Sequence, residues 1–495
     1  MKKAVRQAFR DDCVAYLETL SIASLRSYGR QVGVERPTEK QKNELIAEIV
    51  SVLLGEKEPV GRATRGAPVK DDFVDPKISA TVNRLLLIYE PADTLQECEE
   101  RKSRFNATWE DRKKEIGAWK IEVNEYHGDE TLFTGQLKTY DGVACLLALN
   151  FDLSKPKAVI SVEQIRRYDL RDGDVITCRV FVKNSVAYAS EILTINGWSV
   201  GELTRLKYDD AAVALPYEKI CFFDGQTSSL EGKYLDWLLP MGKGQRSLVV
   251  GAPKTGKTRF VLNSVKELLH NKPDMDVFVL LIDQAPEVVC EYQKVVDKNK
   301  LVATTYTDDD SKHVLAAEFL LGRAQRFAEC GRDVLLVFDG LNSLAKAYDQ
   351  TDLCDGGKCL SCGIGSKTLH YVKKYFASAK CLEKKGSFSI MATAAMGTGT
   401  PVDDAITAEL RSVANHQVVL DNHLALRRIY PAIDIETSQS AYASALFTAE
   451  ENETEFLFRN RIRPFVAQDF LHTALCSAKS EKEFVQLLQS AFKKL

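Results

Sequence analysis

The sequence predicts a multidomain chain: a small helical unit at the N-terminus, a β-barrel, a large α/β domain on a parallel sheet, and closing helices. Three observations predict this. The run Gly251-Ala-Pro-Lys-Thr-Gly-Lys257-Thr258 sets Gly, four residues, then Gly-Lys-Thr between an apolar stretch and an amphipathic one. That is the pattern of a loop that cradles phosphate between a strand and a helix N-terminus. From about residue 217 apolar stretches alternate with helical periodicity, the rhythm of a parallel sheet with crossover helices. Between Lys120 and Ile195 short β-type runs are separated by turn signals instead.

Taken in order, residues 11–56 predict the helical unit. Leu17, Leu20, Ile22 and Leu25 recur at helical spacing, as do Ile46, Ile49, Val50, Leu53 and Leu54 before Gly55. Residues 57–117 suit a linker, rich in Pro, Gly and charge at first and a charged helix over 96–116. Residues 118–200 form the barrel, with strands at Lys120–Val123, Ala144–Leu149, Ala158–Val162, Val175–Val182 and Val186–Leu193. Residues 217–465 form the α/β domain, with strands at 248–250, 277–282, 334–338, 388–393 and 417–420. Residues 466–495 close the chain with helices.

Bulk properties narrow the function classes. A net charge of −3 over 495 residues gives no global pull toward nucleic acid, so such binding rests on local patches. No apolar run approaches the roughly 18 residues of a membrane helix. The first residues, MKKAVRQAFRDD, carry charge where a secretory signal needs an apolar stretch. The expectation is a cytoplasmic chain with no membrane partner. The 12 cysteines are scattered apart from one cluster and do not read as a disulfide scaffold.

The chemistry concentrates around the loop. Its small residues let successive backbone N–H groups curl around an anion, Lys257 reaches the outer phosphates, and the Thr258 hydroxyl ligates Mg²⁺. Val334–Phe338 ends in Asp339, placed to hold the Mg²⁺ water shell as a Walker B carboxylate, or else to cap the next helix. The strand at 277–282 ends in Asp283-Gln284-Ala285-Pro286-Glu287. Nucleoside triphosphatases commonly carry a water-polarising Glu at this edge. Gln284 orients water but takes no proton at neutral pH, which leaves Glu287 as the substitute. A capping turn built on Asp283 and Pro286 fits the same residues.

These motifs resemble a family, transcription termination factor Rho of bacteria, over most of the chain from about residue 13. The matching runs are Ile165–Tyr168 with Leu170–Asp174, Pro240–Arg246, Ala252-Pro253-Lys254, Leu280–Asp283, Leu344–Tyr348 and Arg428–Asp434. The resemblance implies an OB-like barrel that binds single-stranded RNA, a RecA-type P-loop ATPase domain, ATP and Mg²⁺ as cofactors, and a hexameric ring. It further implies action on RNA polymerase in a transcription complex. By resemblance Gly242, Lys243, Gly244, Gln245, Arg246 and Ser247 lie near the nucleotide. Lys254, Thr255, Gly256, Lys257, Thr258 and Arg259 surround the phosphates, and Tyr430 packs on the base. Thr258 and Asp339 hold the metal. Lys257, Glu287 and Arg428 form the catalytic set, with Arg428 in the subunit interface region.

The departures from the family are specific. Its catalytic Glu is Gln284 here, the following Arg is Ala285, and its arginine finger falls at Ala441. From Ile429 to Phe458 there is no Arg or Lys, and a missing finger costs about 10³–10⁵ in rate. In the barrel, the family stacks bases on two aromatics one residue apart after Asp-Gly. Here Asp141-Gly142 leads to Val143 and Cys145, and each lost stack is worth roughly 1–3 kcal/mol. A family loop with Lys after Thr-Gly-Ser becomes Thr398-Gly399-Thr400-Pro401. The other pore loop, Gly356–Gly365 with Lys358 and Lys367 beside it, also holds Cys354, Cys359 and Cys362. Their C-x₄-C-x₂-C spacing resembles a ferredoxin arrangement, with Cys381 as a fourth ligand for a metal or iron–sulfur cluster; three unpaired thiols are the other reading. Three functions follow: a divergent Rho-type RNA-dependent ATPase and helicase, a catalytically impaired regulator in mixed rings with active Rho, or a rotary or secretion-type ATPase. The N-terminal modules disfavour the last.

Overall fold

The computed structural model describes residues 3–57, 131–140, 143–154, 157–183, 186–203, 205, 207–223, 225, 230–271, 275–351, 362–383, 386–457 and 468–492, with isolated positions at 78, 82, 85, 89, 94 and 96–98. The chain divides into two compact units, residues 1–148 with 153–200, and residues 149–152 with 201–495.

In the first unit, helices Lys3–Glu18, Ile22–Val32 and Lys42–Leu53 form the N-terminal body. The first helix starts ahead of the predicted boundary at 11. Val5, Phe9, Cys13 and Leu17 recur every four residues and bury one face, a stripe the flanking charges hide in the sequence. Ser21 caps the second helix by accepting from the Ser24 amide (3.1 Å), and Gly33 ends it at φ 88. The segment read as linker also enters this core. Ile78, Val82, Leu85 and Tyr89 are helical, and Ile78, Val82, Tyr89 and Cys98 are buried with the first three helices. Their three-, four- and seven-residue spacing sets them on one helix face.

The barrel follows as β1 (Thr131–Tyr140), β2 (Val143–Leu147), β3 (Ala158–Ile160), β4 (Val175–Lys183), β5 (Val186–Ile195) and the short β6 (Trp198–Ser199). The order is β3-β2-β1-β4-β5-β6, and a β3–β5 pairing closes the sheet on itself. The predicted strand Lys120–Val123 lies outside the described residues. Long central β1 was not predicted, because TLFTGQLKTY interrupts its alternation with Gly135. The structure requires that glycine: a Cβ there would meet the Leu147 carbonyl at 2.8 Å. The strand predicted to run to Val162 stops at Ile160, where Ser161 and Gln164 form a reciprocal capping box for helix Val162–Arg167.

The second unit is built on a nine-stranded sheet. Its strands are β7 (Val213–Ala214), β8 (Arg246–Gly251), β9 (Asp276–Gln284), β10 (Leu301–Thr305), β11 (Val334–Asp339), β12 (Lys380–Leu382), β13 (Ser387–Ala395), β14 (His416–Leu420) and β15 (Gln439–Ser440). Six of them, in the order β10-β9-β11-β13-β8-β14, are parallel. Five of the six were legible as apolar runs because parallel strands are covered on both faces. The sixth, β10, is half polar (LVATT) and was missed. Helices Gln468–Ser477 and Glu481–Phe492 return Leu471, Leu475 and Phe484 to this core. Among the described residues no helix is long and apolar enough to cross a membrane.

Candidate functional site

The phosphate loop leaves the middle of the sheet, between β13 and β14, and runs straight into helix Lys257–Asn271. Lys254 at φ 67 and Gly256 at φ 91 curl the backbone. The loop is tight: a Cβ on Gly251 would sit 2.6 Å from Thr255 Oγ1, and Thr255 donates to the Ala252 carbonyl at 2.8 Å. Lys257 Nζ donates to the carbonyls of Gly251 (2.9 Å) and Ala252 (2.8 Å). Burial lowers its pKa, partly countered by Asp339. Beside the loop lies a cavity of about 920 Å³ whose lining includes Lys254, Lys257, Thr258, Arg259, Lys266 and Lys294. Sequence reasoning missed Lys266 and Lys294. For Lys266 a signal was present: Thr258, Arg259, Leu262, Asn263 and Lys266 recur at three- and four-residue spacing on one face of the loop's own helix.

Asp339 ends β11 next to this loop's strand system. Its Oδ1 accepts from Thr393 Oγ1 at 2.6 Å. Its Oδ2 is buried with no partner, where a hydrated cation would satisfy it. Asp339 does not cap the following helix; Gly340, at φ 116, holds the cap position of Leu341–Asp349. The free Oδ2 of Asp339 therefore fits a magnesium ion, which would shield phosphate charge when bound.

At the neighbouring strand end Asp283, at φ 56, accepts from Ser343 Oγ at 2.9 Å. Gln284 donates from Nε2 to the Ile282 carbonyl at 3.2 Å, and that nitrogen lies 3.4 Å from where a Gly340 Cβ would stand. The residue adjoining the Asp339 end is thus Gln284. Glu287 is exposed on the first turn of helix Pro286–Gln293 and does not line the cavity. Tyr430 sets its ring edge on the loop, with Cε1 3.1 Å from a Gly256 Cβ position. Its carbonyl accepts from His472 Nε2 at 2.8 Å. Arg428 is exposed at φ 59, two residues ahead of Tyr430.

The run Gly242–Ser247 is not brought to the loop. It enters β8 at the opposite end, about 16 Å of strand away. Its groups are committed there. Lys243 pairs with Glu218 and with Asp333 (2.6 Å). Gly244 is packed where a Cβ would overlap the Cys381 amide, and Gln245 accepts from the Gly242 amide at 2.6 Å. Arg246 donates to the carbonyls of Val413 (2.8 Å) and Ala379 (3.1 Å). Ser247 Oγ meets His416 Nδ1 at 2.7 Å, while His416 Nε2 reaches the Leu239 carbonyl at 2.9 Å. Complete burial lowers the His416 pKa to about 4, the Leu239 hydrogen bond opposing it. These residues brace the N-terminal edge of the sheet.

Of the cysteine cluster, Cys354 and Cys359 lie outside the described residues, as does Lys358. Among the described residues no group of three or more His, Cys, Asp or Glu is arranged to hold a metal, so the cluster expectation gains no support. Thr398 and Thr400 both donate to Asp403 Oδ2 (2.9 and 2.7 Å), while Asn342 (3.0 Å) and Lys346 (2.9 Å) hold Oδ1. On the barrel, Val143 and Cys145 alternate with buried Ala144 and Leu146. Sequence reasoning also missed an aromatic pair: Phe181 on β4 faces Tyr188 on β5, their rings 5.7 Å apart and 29° from parallel. Their direct cross-strand pairing is set by the hairpin register, which the sequence does not show.

Residues 232–440 match the nucleotide-binding domain of the ATP synthase alpha/beta family. The chain is 32% identical over 344 residues to transcription termination factor Rho of Salmonella typhimurium, covering 67% of this chain and 80% of that one. It is 33% identical over 339 residues to Rho of Haemophilus influenzae, with the same coverage. An ATPase from the type III secretion system of pathogenic bacteria superposes with a TM-score of 0.45 at 20% identity, over 57% of this chain and 86% of the other. At 32% identity over 344 residues, spanning 80% of a Rho relative, the chain belongs to the transcription termination factor Rho family.

Proposed function

We propose that this chain is a nucleotide-binding, ring-forming Rho-type subunit that acts on transcription and contacts RNA through its barrel. The observation that carries the proposal is the loop of residues 251–258 with the unpartnered Asp339 Oδ2 beside it. Together they supply an anion cradle and a place for Mg²⁺. In this reading Lys254, Lys257 and Arg259 neutralise phosphate charge, and Thr258 and Asp339 hold the metal. The pair of exposed Phe181 and half-buried Tyr188 supports an RNA-facing barrel, since stacked aromatics take bases of any sequence.

A second reading has its own support: the subunit binds ATP but hydrolyses it slowly, serving as a regulator in mixed rings with an active Rho. Gln284 stands beside Asp339 and cannot accept a proton from water. Glu287 is exposed away from the cavity, and Ala441 is an exposed residue with no charge to lend to a neighbour.

RNA-stimulated ATP turnover by the purified chain separates the two readings. ATP binding that disappears in Lys257→Ala is expected under both. Turnover of about 1 s⁻¹ or more selects the motor. Binding with turnover far below that, and rescue on mixing with active Rho subunits, selects the regulator. Equal ATP binding by wild type and Lys257→Ala rejects both.

A further inference from the structure

A buried hydroxyl without a hydrogen-bond partner costs free energy that a phenylalanine in the same place would not. Tyr292 carries such a group. It is fully buried, and its Oη has no partner among the described residues. The unpartnered Asp339 Oδ2 lies on the same side of the sheet. Leu335, Val337 and Asp339 alternate along β11 and so share one face. Leu335 and Val337 pack in one core with Tyr292 and with Phe260, Val261 and Val265 of the phosphate loop's helix.

Tyr292 enters this core from behind the cavity wall. Glu291, Lys294 and Val295 line the cavity together with Lys254, Lys257 and Thr258. Tyr292 is one residue on from Glu291, about 100° round the helix, and is turned inward. Two carboxylates act on it. Burial raises the pKa of the phenol well above its usual value, and Asp339 and then Glu291 raise it further. Burial lowers the pKa of Lys257, and the same Asp339 raises it. The loop lysine and the phenol thus feel one carboxylate, whose free oxygen no side chain satisfies.

We propose that Tyr292 is a positioning residue for the metal, its hydroxyl joining Asp339 Oδ2 in holding the water shell of Mg²⁺. The inference rests on the loop and Asp339 being the ATP and Mg²⁺ site proposed above. Mg²⁺ keeps several waters when bound. A water in that shell has protons to donate, and a phenol oxygen and a carboxylate both accept them. Asp339 offers one free oxygen, and Tyr292 adds a second from a different element, which orients the shell as well as retaining it.

Tyr292→Phe removes one oxygen and keeps the ring. On the full chain, ATP binding is followed by calorimetry across a Mg²⁺ titration, and thermal unfolding is followed without nucleotide or metal. In Tyr292→Phe the Mg²⁺ concentration at half-saturation is expected to rise about two- to tenfold, the worth of one hydrogen bond. ATP binding in EDTA is expected to match wild type. The unfolding midpoint without ligand is expected to be equal or higher, because an unpartnered hydroxyl has left the core. A merely structural hydroxyl gives the reverse, a lower midpoint with unaltered Mg²⁺ dependence, and either of those results overturns the proposal. Asp339→Asn is the control for the site. If it abolishes the Mg²⁺ dependence while Tyr292→Phe leaves it unchanged, the site stands and Tyr292 has no part in it. If wild-type ATP binding does not respond to Mg²⁺ at all, the site reading itself fails.

Discussion

Single residues in this chain carry distinct physical tasks at the two ends of one strand. At the loop end of β8, Lys257 is held on two carbonyls and lines the cavity beside the loop. At the far end, His416 is neutral, enclosed between Ser247 and the Leu239 carbonyl. The sign of its pH effect is set by the lowered pKa. The unfolded imidazole takes a proton near 6.5 and the folded one near 4, so stability falls as pH drops from about 6.5 to 4 and changes no further from this group below that. Thermal unfolding across that window should show the loss, and His416→Gln should flatten it. Ser247→Ala at pH 7 removes the hydroxyl that serves Nδ1 and should cost about 1–3 kcal/mol, read from denaturant unfolding. Asp339 was legible in the sequence because an apolar run stops abruptly at a carboxylate. The cation–π contact of Arg259 on Tyr430 was not, because it joins the first turn of one helix to a residue beyond the last parallel strand, and only the fold brings them together. Gly242–Ser247 was misjudged for the converse reason: adjacency along the chain became distance along an extended strand.

At the scale of elements, the loop after β13 and the helix Pro401–Val413 are joined through one carboxylate. Burial pushes the Asp403 pKa up, but hydrogen bonds from Thr400, Lys346, Asn342 and Thr398 outweigh it and hold it at about 2. A depressed folded pKa stabilises above the unfolded value of 3.8 and loses that contribution as pH falls through about 2. Asp403→Asn should cost about 1–3 kcal/mol at neutral pH and weaken the acid dependence of unfolding. Amide exchange should rise over residues 396–400 while β13 stays protected. On the barrel, Phe181→Ala with Tyr188→Ala should lower single-stranded RNA affinity by roughly tenfold or more if bases stack there. The same affinity in the double variant would exclude that surface. Element type followed the pattern wherever it was strong. The parallel strands and the helix of residues 42–53 were legible, whereas β1 and the helical positions 78, 82, 85 and 89 were hidden by polar alternation and by surrounding charge.

At the scale of the whole molecule, the architecture of the Rho family was legible from motifs spread over the chain, and activity was not. The nucleotide cradle is local in sequence. The positions on which the proposed readings divide, Gln284 and Ala441, show in the sequence as missing charges, and the sequence alone does not say whether another subunit would supply them. One further feature binds distant parts of the second unit. Buried Lys233 donates to the carbonyls of Leu475 (3.0 Å) and Ala478 (2.7 Å), ending the helix Gln468–Ser477, and Trp237 meets Phe484 with ring centroids 5.7 Å apart. During synthesis the P-loop strand and its helix leave the ribosome long before that helix exists, and until then Lys233 is a buried-site amine with no acceptor. Ending the chain at residue 467 should therefore leave the α/β unit collapsed but open to proteolysis, and supplying residues 468–492 as a separate peptide should restore resistance. The nucleotide-binding unit, although its motif is complete by residue 258, is therefore expected to reach protease resistance only when the segment through Phe484 is available to pack on Trp237.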